Sequence, residues 1–70
     1  MIRKPVVSSM IRSVGYDEAS RTLEIEFNSG DVYQYFEVPG DVYRQMMSAS
    51  SLGRFFLSEI RGAYQYTKMK

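Results

Sequence analysis

Strict alternation of apolar and charged residues marks one segment of this sequence more clearly than any other. From position 21 to 27 the chain reads Arg-Thr-Leu-Glu-Ile-Glu-Phe, in which every second residue from Leu23 onward is apolar. This two-residue period is typical of a β-strand with one buried face. The run from Ser9 to Tyr16 is mixed and extended in character, and the run from Asp31 to Val38 is rich in β-forming residues. With turn residues between them, the three runs predict an antiparallel meander.

The loop between the second and third strands decides which side chains share a face. If Asn28-Ser29-Gly30 forms a three-residue loop, Tyr33 and Tyr35 lie on the apolar face of the second strand. If only Ser29-Gly30 forms the loop, both tyrosines move to the face of the glutamates. We favour the three-residue loop because it avoids burying Gln34. We therefore interpret the two tyrosines as core residues whose hydroxyl groups still reach the edge of a groove.

Helical spacing replaces the strand pattern after Val38-Pro39, because proline holds the residue before it extended and suits the start of a helix. From Asp41 to Ala49, Val42 and Met46 lie on one stripe, and Tyr43 and Met47 on its neighbour. This spacing predicts a short helix.

A second helix is predicted directly after the first. Ser50 or Ser51 is suited to cap it, and its apolar residues Leu52, Phe56 and Ile60 are spaced by four. Arg61 and Gly62 are typical of a helix end. From Ala63 to Met69 the two-residue period returns, with Tyr64, Tyr66 and Lys68 on one strand face.

The order β-β-β-α-α-β predicts an α+β fold, in which helices pack on one face of an antiparallel sheet. We expect one domain over residues 1–70, with an ordered core of about 8–68. The final strand closes one edge of the sheet, beside either the first or the third strand. Gly15 in the first strand indicates a bulge or a close approach of another segment.

Composition limits the possible chemistry. The chain is 44% hydrophobic and has no cysteine and no histidine. We therefore expect no disulfide, no zinc site, no His-dependent catalytic centre and no catalytic residue at all. No glycine-rich phosphate motif is present, so we predict no cofactor. Glu24 and Glu26 share a strand face, which we interpret as the solvated side. No hydrophobic stretch reaches the length of a signal peptide or a membrane span, and the cytoplasm is the expected compartment.

Charge is unevenly distributed along a chain whose net charge is only +1. Residues 1–16 contain three basic and no acidic residues, residues 17–41 contain seven acidic residues and one arginine, and residues 42–70 contain five basic residues and one glutamate. Such segregation favours a local positive surface. Arginine beside exposed tyrosine is a reasonable surface for single-stranded RNA. The candidate contacts for nucleic acid or another anion are Arg12, Arg54, Arg61, Tyr64, Tyr66 and Lys68.

Several spaced motifs resemble the KTSC domain family, which is named for the C-terminus of some lysyl-tRNA synthetases and also occurs as small stand-alone bacterial or phage proteins. The resemblance covers nearly the whole chain. The residues that carry it are Ser8-Ser9, Gly15-Tyr16-Asp17, the strand from Leu23 to Phe27, Gly30, Tyr33-Gln34-Tyr35, Val38-Pro39, Ser51-Leu52-Gly53 with Phe56, and Ile60 to Tyr64. It implies a fold more firmly than an activity, and the link to the synthetases suggests RNA.

Together these observations favour a non-catalytic module that binds tRNA or single-stranded RNA through its C-terminal Arg, Tyr and Lys side chains. The alternative is a homo-oligomer that binds a partner protein or a small anionic, nucleotide-like ligand. A core this small gains stability from association. In that case Val32, Phe36, Phe55 and the five methionines are expected to form an exposed apolar interface.

Overall fold

Five antiparallel strands form one sheet, and their order across the sheet follows their order along the chain. The computed structural model describes residues 1–70. The strands are β1 (Lys4–Pro5), β2 (Ile11–Asp17), β3 (Thr22–Phe27), β4 (Val32–Tyr35) and β5 (Tyr66–Lys68). Between β4 and β5 lie α1 (Gly40–Ser48) and α2 (Leu52–Phe55), which continues into a π-helical turn, Phe56–Ile60. The predicted α+β architecture is confirmed, and the final strand pairs with β4.

The β3–β4 hairpin has the register of the three-residue loop. Leu23 lies opposite Tyr35 and Ile25 opposite Tyr33. The amide of Phe27 donates to the carbonyl of Asp31 at 2.9 Å, and Gly30 completes the loop with a φ of 98°. A residue with a Cβ would be strained in this conformation. Both tyrosines therefore lie on the helix-covered face of the sheet.

The core lies between this face and the helices. It contains Ile11, Val14, Leu23, Ile25, Tyr35, Val38, Met46, Phe56 and Ile60. The predicted stripes are confirmed: Met46 of α1 is fully buried, while Val42, Tyr43 and Met47 pack against the core in part. Ser51 caps α2, since its hydroxyl oxygen accepts from the amide of Arg54 at 3.3 Å.

Two elements differ from the sequence prediction. The second helix changes its hydrogen bonding halfway, so that the amide of Arg61 donates to the carbonyl of Phe56, five residues earlier, at 2.9 Å. The chain then turns, with the amide of Ala63 bonded to the carbonyl of Ile60. Strand β5 consequently starts at Tyr66 rather than at Ala63. The prediction that Tyr64 shares a strand face with Tyr66 and Lys68 is wrong.

The N-terminal segment adds a short strand that the sequence pattern does not indicate. β1 pairs with β2, Lys4 opposite Val14 and Pro5 opposite Ser13. The residues before β1 cross the second face of the sheet, the one that the helices leave uncovered. A Cβ at Gly15 would lie 2.8 Å from the carbonyl oxygen of Ile2, closer than real Cβ atoms come. The segment can cross here because residue 15 is glycine, and the predicted close approach is confirmed.

The expected apolar interface is wrong for several of its members. Val32 is only 6% exposed, Met46 is fully buried, and Phe55 packs against the core. Met1 and Met69 are exposed as expected, but the most exposed apolar side chains are Ile2 and Val7 near the N-terminus. No helix combines the length and the apolar character needed to cross a membrane.

Candidate nucleic-acid interface

Three tyrosines and one arginine border a cavity of about 260 Å³ on the helix-covered side of the sheet. We call it the tyrosine cavity. Its wall contains Tyr33, Tyr35, Tyr66, Phe27, Phe56, Met10, Leu57 and Arg61. The antiparallel pairing of β3, β4 and β5 places these side chains together, because Tyr35 lies opposite both Leu23 and Tyr66. The cavity is thus an aromatic pocket with a single charge at its rim.

The three tyrosine rings form a compact cluster. Ring centroids are 6.3 Å apart for Tyr33 and Tyr35, 5.8 Å for Tyr35 and Tyr66, and 5.7 Å for Tyr33 and Tyr66. Tyr35 is 5% exposed, whereas Tyr66 is 61% exposed. Burial raises the pKa of Tyr35 to about 12; the phenols of Tyr33 and Tyr66 act in the same direction, and the charge of Arg61 opposes them. Tyr35 supports the cluster, and Tyr66 offers an open ring face.

A second cavity of about 330 Å³ adjoins the first, and Met10 and Leu57 line both. We call it the serine cavity, and the two cavities together the groove. The wall of the serine cavity contains Ser8, Ser9, Ser50, Ser51, Arg54, Gly53, Val7, Leu52, Met10 and Leu57. Two distant segments meet here: the loop before β2 and the start of α2. No carboxylate lines either cavity.

Hydroxyl groups of the serine cavity keep their donor capacity. Ser8 Oγ accepts from the amides of Met10 and Ile11 at 3.1 and 3.2 Å, and Ser51 Oγ accepts from an amide of α2. Neither of these hydroxyls donates to a protein group. Ser9 and Ser50 are exposed and their side chains take part in no hydrogen bond within the chain. Because each hydroxyl carries one proton to donate, all four can donate to a ligand.

Arg54 and Arg61 are exposed and form no ion pair. The other two predicted cations are both engaged: Arg12 lies 3.8 Å from a carboxylate oxygen of Glu26, and Lys68 lies 3.6 Å from one of Asp31. Of the four predicted cations, the two that border the groove are therefore the ones that no carboxylate neutralises.

The second face of the sheet, below the N-terminal segment, concentrates carboxylates and their partners. Arg3 pairs with Glu24 and donates through Nε to Ser13 Oγ at 3.0 Å. Ser13 donates to Glu26 at 2.8 Å, and Gln34 donates to Glu24 at 2.8 Å. Glu24 is 7% exposed, so the expectation of a solvated side is wrong at this position.

The hydrogen bonds of this network decide the ionisation of Glu24. Burial alone would raise the pKa of the carboxyl group, but the hydrogen bonds from Gln34 and Arg3, together with the charge of Arg3, lower it overall. Both oxygens of Glu24 are thus held by donors. The carboxylate of Glu24 therefore serves the structure of this face.

The structure brings three of the six predicted contacts together on the groove: Arg54, Arg61 and Tyr66. Tyr64 is half-buried and packs against the core. Arg12 points to the carboxylates of the second face, and Lys68 lies on β5 opposite Tyr33 without lining the cavity.

Sequence reasoning missed the serine cavity. Ser8 and Ser9 were noted for the family resemblance, Ser51 for the resemblance and as a possible helix cap, and Ser50 only as a possible helix cap. Nothing in local periodicity indicates that residues more than 40 positions apart in the chain share one wall.

Comparison with known proteins agrees with this fold. The model of the KTSC domain matches residues 7–64. An uncharacterised protein of Stutzerimonas stutzeri is 46% identical over 56 residues, which are 80% of this chain and 79% of that protein. A KTSC domain protein from Yersinia pestis has a crystal structure that superposes with a TM-score of 0.96 at 45% identity, covering 99% of this chain and 97% of that one.

A longer protein contains a related segment. The lysine–tRNA ligase of Nostoc punctiforme is 38% identical over 61 residues, which are 87% of this chain but 11% of the ligase. The chain thus spans a small part of that relative and most of the stand-alone ones. On the evidence of the matching family model and of these relatives, the chain belongs to the KTSC domain family.

Proposed function

We propose that this chain is a non-catalytic module that binds single-stranded RNA in the groove. One observation carries the proposal: the groove combines two arginines free of ion pairs with an exposed tyrosine, and no carboxylate lines it. Phosphate needs uncompensated positive charge, and an unpaired base needs an open ring on which to stack. The cytoplasm, where RNA is met, is part of this proposal.

The tyrosine cavity is suited to a single base. Its volume of about 260 Å³ lies below the range of about 300–1,000 Å³ that is usual for whole small-molecule sites. A base stacked on Tyr66 would contact Tyr33 at the floor of the cavity. Arg61 at the rim is placed to bind an adjoining phosphate or to stack on the base.

The pairing of charges on the second face supports the same orientation. Glu24 and Glu26 lie there, on the opposite side of β3 from Ile25. Arg3 and Arg12 already pair with these carboxylates and are not free to bind phosphate, so RNA has an electrostatic reason to approach the groove face, where Arg54 and Arg61 are unpaired. The occurrence of a related segment in lysine–tRNA ligases supports RNA, and tRNA in particular, as the ligand class.

The test is a titration of labelled oligouridine of about eight nucleotides, a length within the site sizes of single-strand binders of about 4–16 nucleotides. We expect binding that weakens as salt rises. The double variant Arg54→Ala/Arg61→Ala should lose affinity by about 10-fold or more, since charge-assisted hydrogen bonds contribute about 1.5–3 kcal/mol each. Unlabelled tRNA should compete.

The matched control is Arg12→Ala/Arg44→Ala, which removes the same charge from arginines that already face Glu26 and Glu18. It should retain most of the affinity. No binding at low salt, or equal losses in the two double variants, would contradict the proposal.

A small anionic ligand such as a free nucleotide is the second candidate, because the same groove offers a base pocket beside hydroxyl and guanidinium donors. Binding of nucleotides without binding of oligouridine or tRNA would favour it. Exposed Ile2 and Val7 are compatible with self-association in that case, which the mass in solution would reveal.

A further inference from the structure

The serine cavity holds more hydrogen-bond donors than the proposed RNA contact requires. Four hydroxyl groups and the guanidinium of Arg54 surround a space of about 330 Å³. An internal phosphodiester of RNA presents two unesterified oxygens and one negative charge. A terminal phosphate monoester presents three oxygens and a charge of about −1.5 to −2 at neutral pH.

The donors come from both sides of the cavity. Ser8 and Ser9 belong to the loop before β2, and Ser50 and Ser51 to the loop before α2. The two loops are held against each other because α2 packs closely here: a Cβ at Gly53 would lie 3.5 Å from Met10 and 3.8 Å from Ser8 Oγ. A group bound between them can be contacted from two directions.

The oxygens of Ser8 and Ser51 are already used as acceptors of backbone amides. These bonds fix the oxygen positions and leave the hydroxyl protons for a ligand that accepts hydrogen bonds. Arg54 adds a planar donor set that matches two phosphate oxygens. No carboxylate in the wall opposes an anion of high charge.

We infer that the serine cavity is a subsite for a terminal phosphate group, which makes the ligand an RNA end that carries a phosphate monoester. The inference rests on the proposed function and narrows its ligand class. The terminal phosphate contacts Arg54 and the four serines, and the base of the end nucleotide enters the tyrosine cavity. Met10 and Leu57 line both cavities, so the two groups belong to neighbouring parts of one ligand.

The experiment compares oligouridines of about four nucleotides, a length at the low end of single-strand site sizes, that differ only at their ends. One has hydroxyls at both ends, one a 5′-phosphate and one a 3′-phosphate. We expect one of the two phosphorylated ligands to bind the wild-type chain at least about 10-fold more tightly than the hydroxyl form, a factor that corresponds to ~1.4 kcal/mol. Which ligand gains shows which end of the RNA is bound.

Three variants separate the subsite from general RNA binding. Arg54→Gln should weaken all three ligands, because Arg54 also belongs to the proposed RNA contact, but it should weaken the favoured phosphorylated ligand about 10-fold more than the hydroxyl form, which removes the gain of ~1.4 kcal/mol from the terminal phosphate. Arg61→Gln should weaken all three ligands by a similar factor. Ser9→Ala/Ser50→Ala should reduce the gain without unfolding, because both side chains are exposed and have no partner within the chain.

Equal binding of all three ligands, or an equal loss for all three in Arg54→Gln, would overturn the terminal-phosphate subsite and leave the proposed RNA binding intact. If no oligouridine binds, the proposed function fails. Inorganic phosphate then tests the subsite alone: amide chemical-shift changes at Ser9, Ser50 and Arg54 that disappear in Arg54→Gln would retain it, and their absence would overturn it as well.

Discussion

The two faces of the sheet carry similar residue types and use them in opposite ways. On the second face, Arg3 and Arg12 are matched by Glu24 and Glu26, and the charges neutralise one another. On the groove face, Arg54 and Arg61 have no such partner. A net charge of +1 therefore conceals a surface with uncompensated positive charge.

The two faces also differ in whether their polar side chains are satisfied within the chain. The hydroxyl of Ser13 both accepts and donates within the second-face network. The hydroxyls of Ser9 and Ser50 contact solvent, as does the ring of Tyr66. Satisfied polar groups serve the fold, whereas unsatisfied groups at an open cavity are free for a ligand. The comparison predicts that damage to one face lowers stability and damage to the other lowers binding.

The largest expected effect is a loss of stability on the second face. Glu24→Ala leaves Arg3 and Gln34 without their shared acceptor, in a place where Glu24 is 7% exposed. We expect the free energy of unfolding to fall by about 3 kcal/mol, at the lower end of the range for breaking a buried ion pair because Arg3 keeps some contact with solvent. Urea unfolding measures this change.

The control for this substitution is Glu59→Ala, which removes an exposed carboxylate with no ion pair and should change stability by no more than about 0.5 kcal/mol. RNA affinity of folded Glu24→Ala should equal that of the wild type. A variant as stable as the wild type, or one that binds RNA less well, would remove the distinction between the faces.

The next effect is a loss of stability at high pH, which we expect from Tyr35 on the groove face. The pKa of Tyr35 has its ordinary value of 10.0 in the unfolded chain, and burial raises it to about 12 in the folded chain. The folded chain keeps this proton longer, so the associated stability is complete below pH 10 and is lost as pH rises toward 12. The loss is about 2 kcal/mol. Tyr35→Phe should reduce this loss of stability at high pH. Tyr16, whose pKa is also raised by burial, accounts for part of the loss that remains in the variant.

Acid should act on the other face. The pKa of Glu24 is lowered from its ordinary 4.5, so its contribution is complete above pH 4.5 and is lost as pH falls through the folded value. We expect a smaller loss than at high pH, because burial opposes the hydrogen bonds at this carboxyl group. Glu24→Gln should flatten the acid limb and Tyr35→Phe the alkaline limb. If Glu24→Gln flattens the alkaline limb of the stability–pH curve, or Tyr35→Phe flattens the acid limb, the two faces are not independent.

Local pattern was sufficient for most of the fold. Alternation in β3 and the loop at Gly30 set the hairpin register, and the spacing of Val42 and Met46 gave the buried stripe of α1. Such features depend on neighbours within a few residues. The β1 strand has two residues and no period of its own, so it forms only through its pairing with β2.

The site depended on contacts that local pattern does not contain. Arg12 and Arg54 are the same residue type, and the sequence does not show which of them is paired. In the tertiary structure Arg12 pairs with Glu26, whereas Arg54 has no partner. The π-helical turn likewise arises where α2 runs into the Gly62 turn, a change that apolar spacing of four does not indicate. Three of the six contacts predicted from residue type alone therefore lie on the groove, and the four serines of its second cavity were missed.

The smallest effect we predict compares two neighbouring residues of β5. Tyr66 lies opposite Tyr35 on the groove face, and Thr67 lies opposite Gln34 on the second face; both are exposed. Tyr66→Leu should lower RNA affinity by about 5- to 10-fold, at the low end of the 1–3 kcal/mol that stacking of one base contributes. Tyr66→Phe should retain most of the affinity, because the ring remains, and Thr67→Ala should bind as the wild type does. Stability should change by less than about 0.5 kcal/mol in Thr67→Ala and Tyr66→Phe, since both positions are at the surface. Fluorescence anisotropy with the same oligouridine measures the affinities. Equal losses in Tyr66→Leu and Tyr66→Phe would assign the contact to the hydroxyl group rather than to stacking. A loss in Thr67→Ala would place RNA on the second face and contradict binding in the groove.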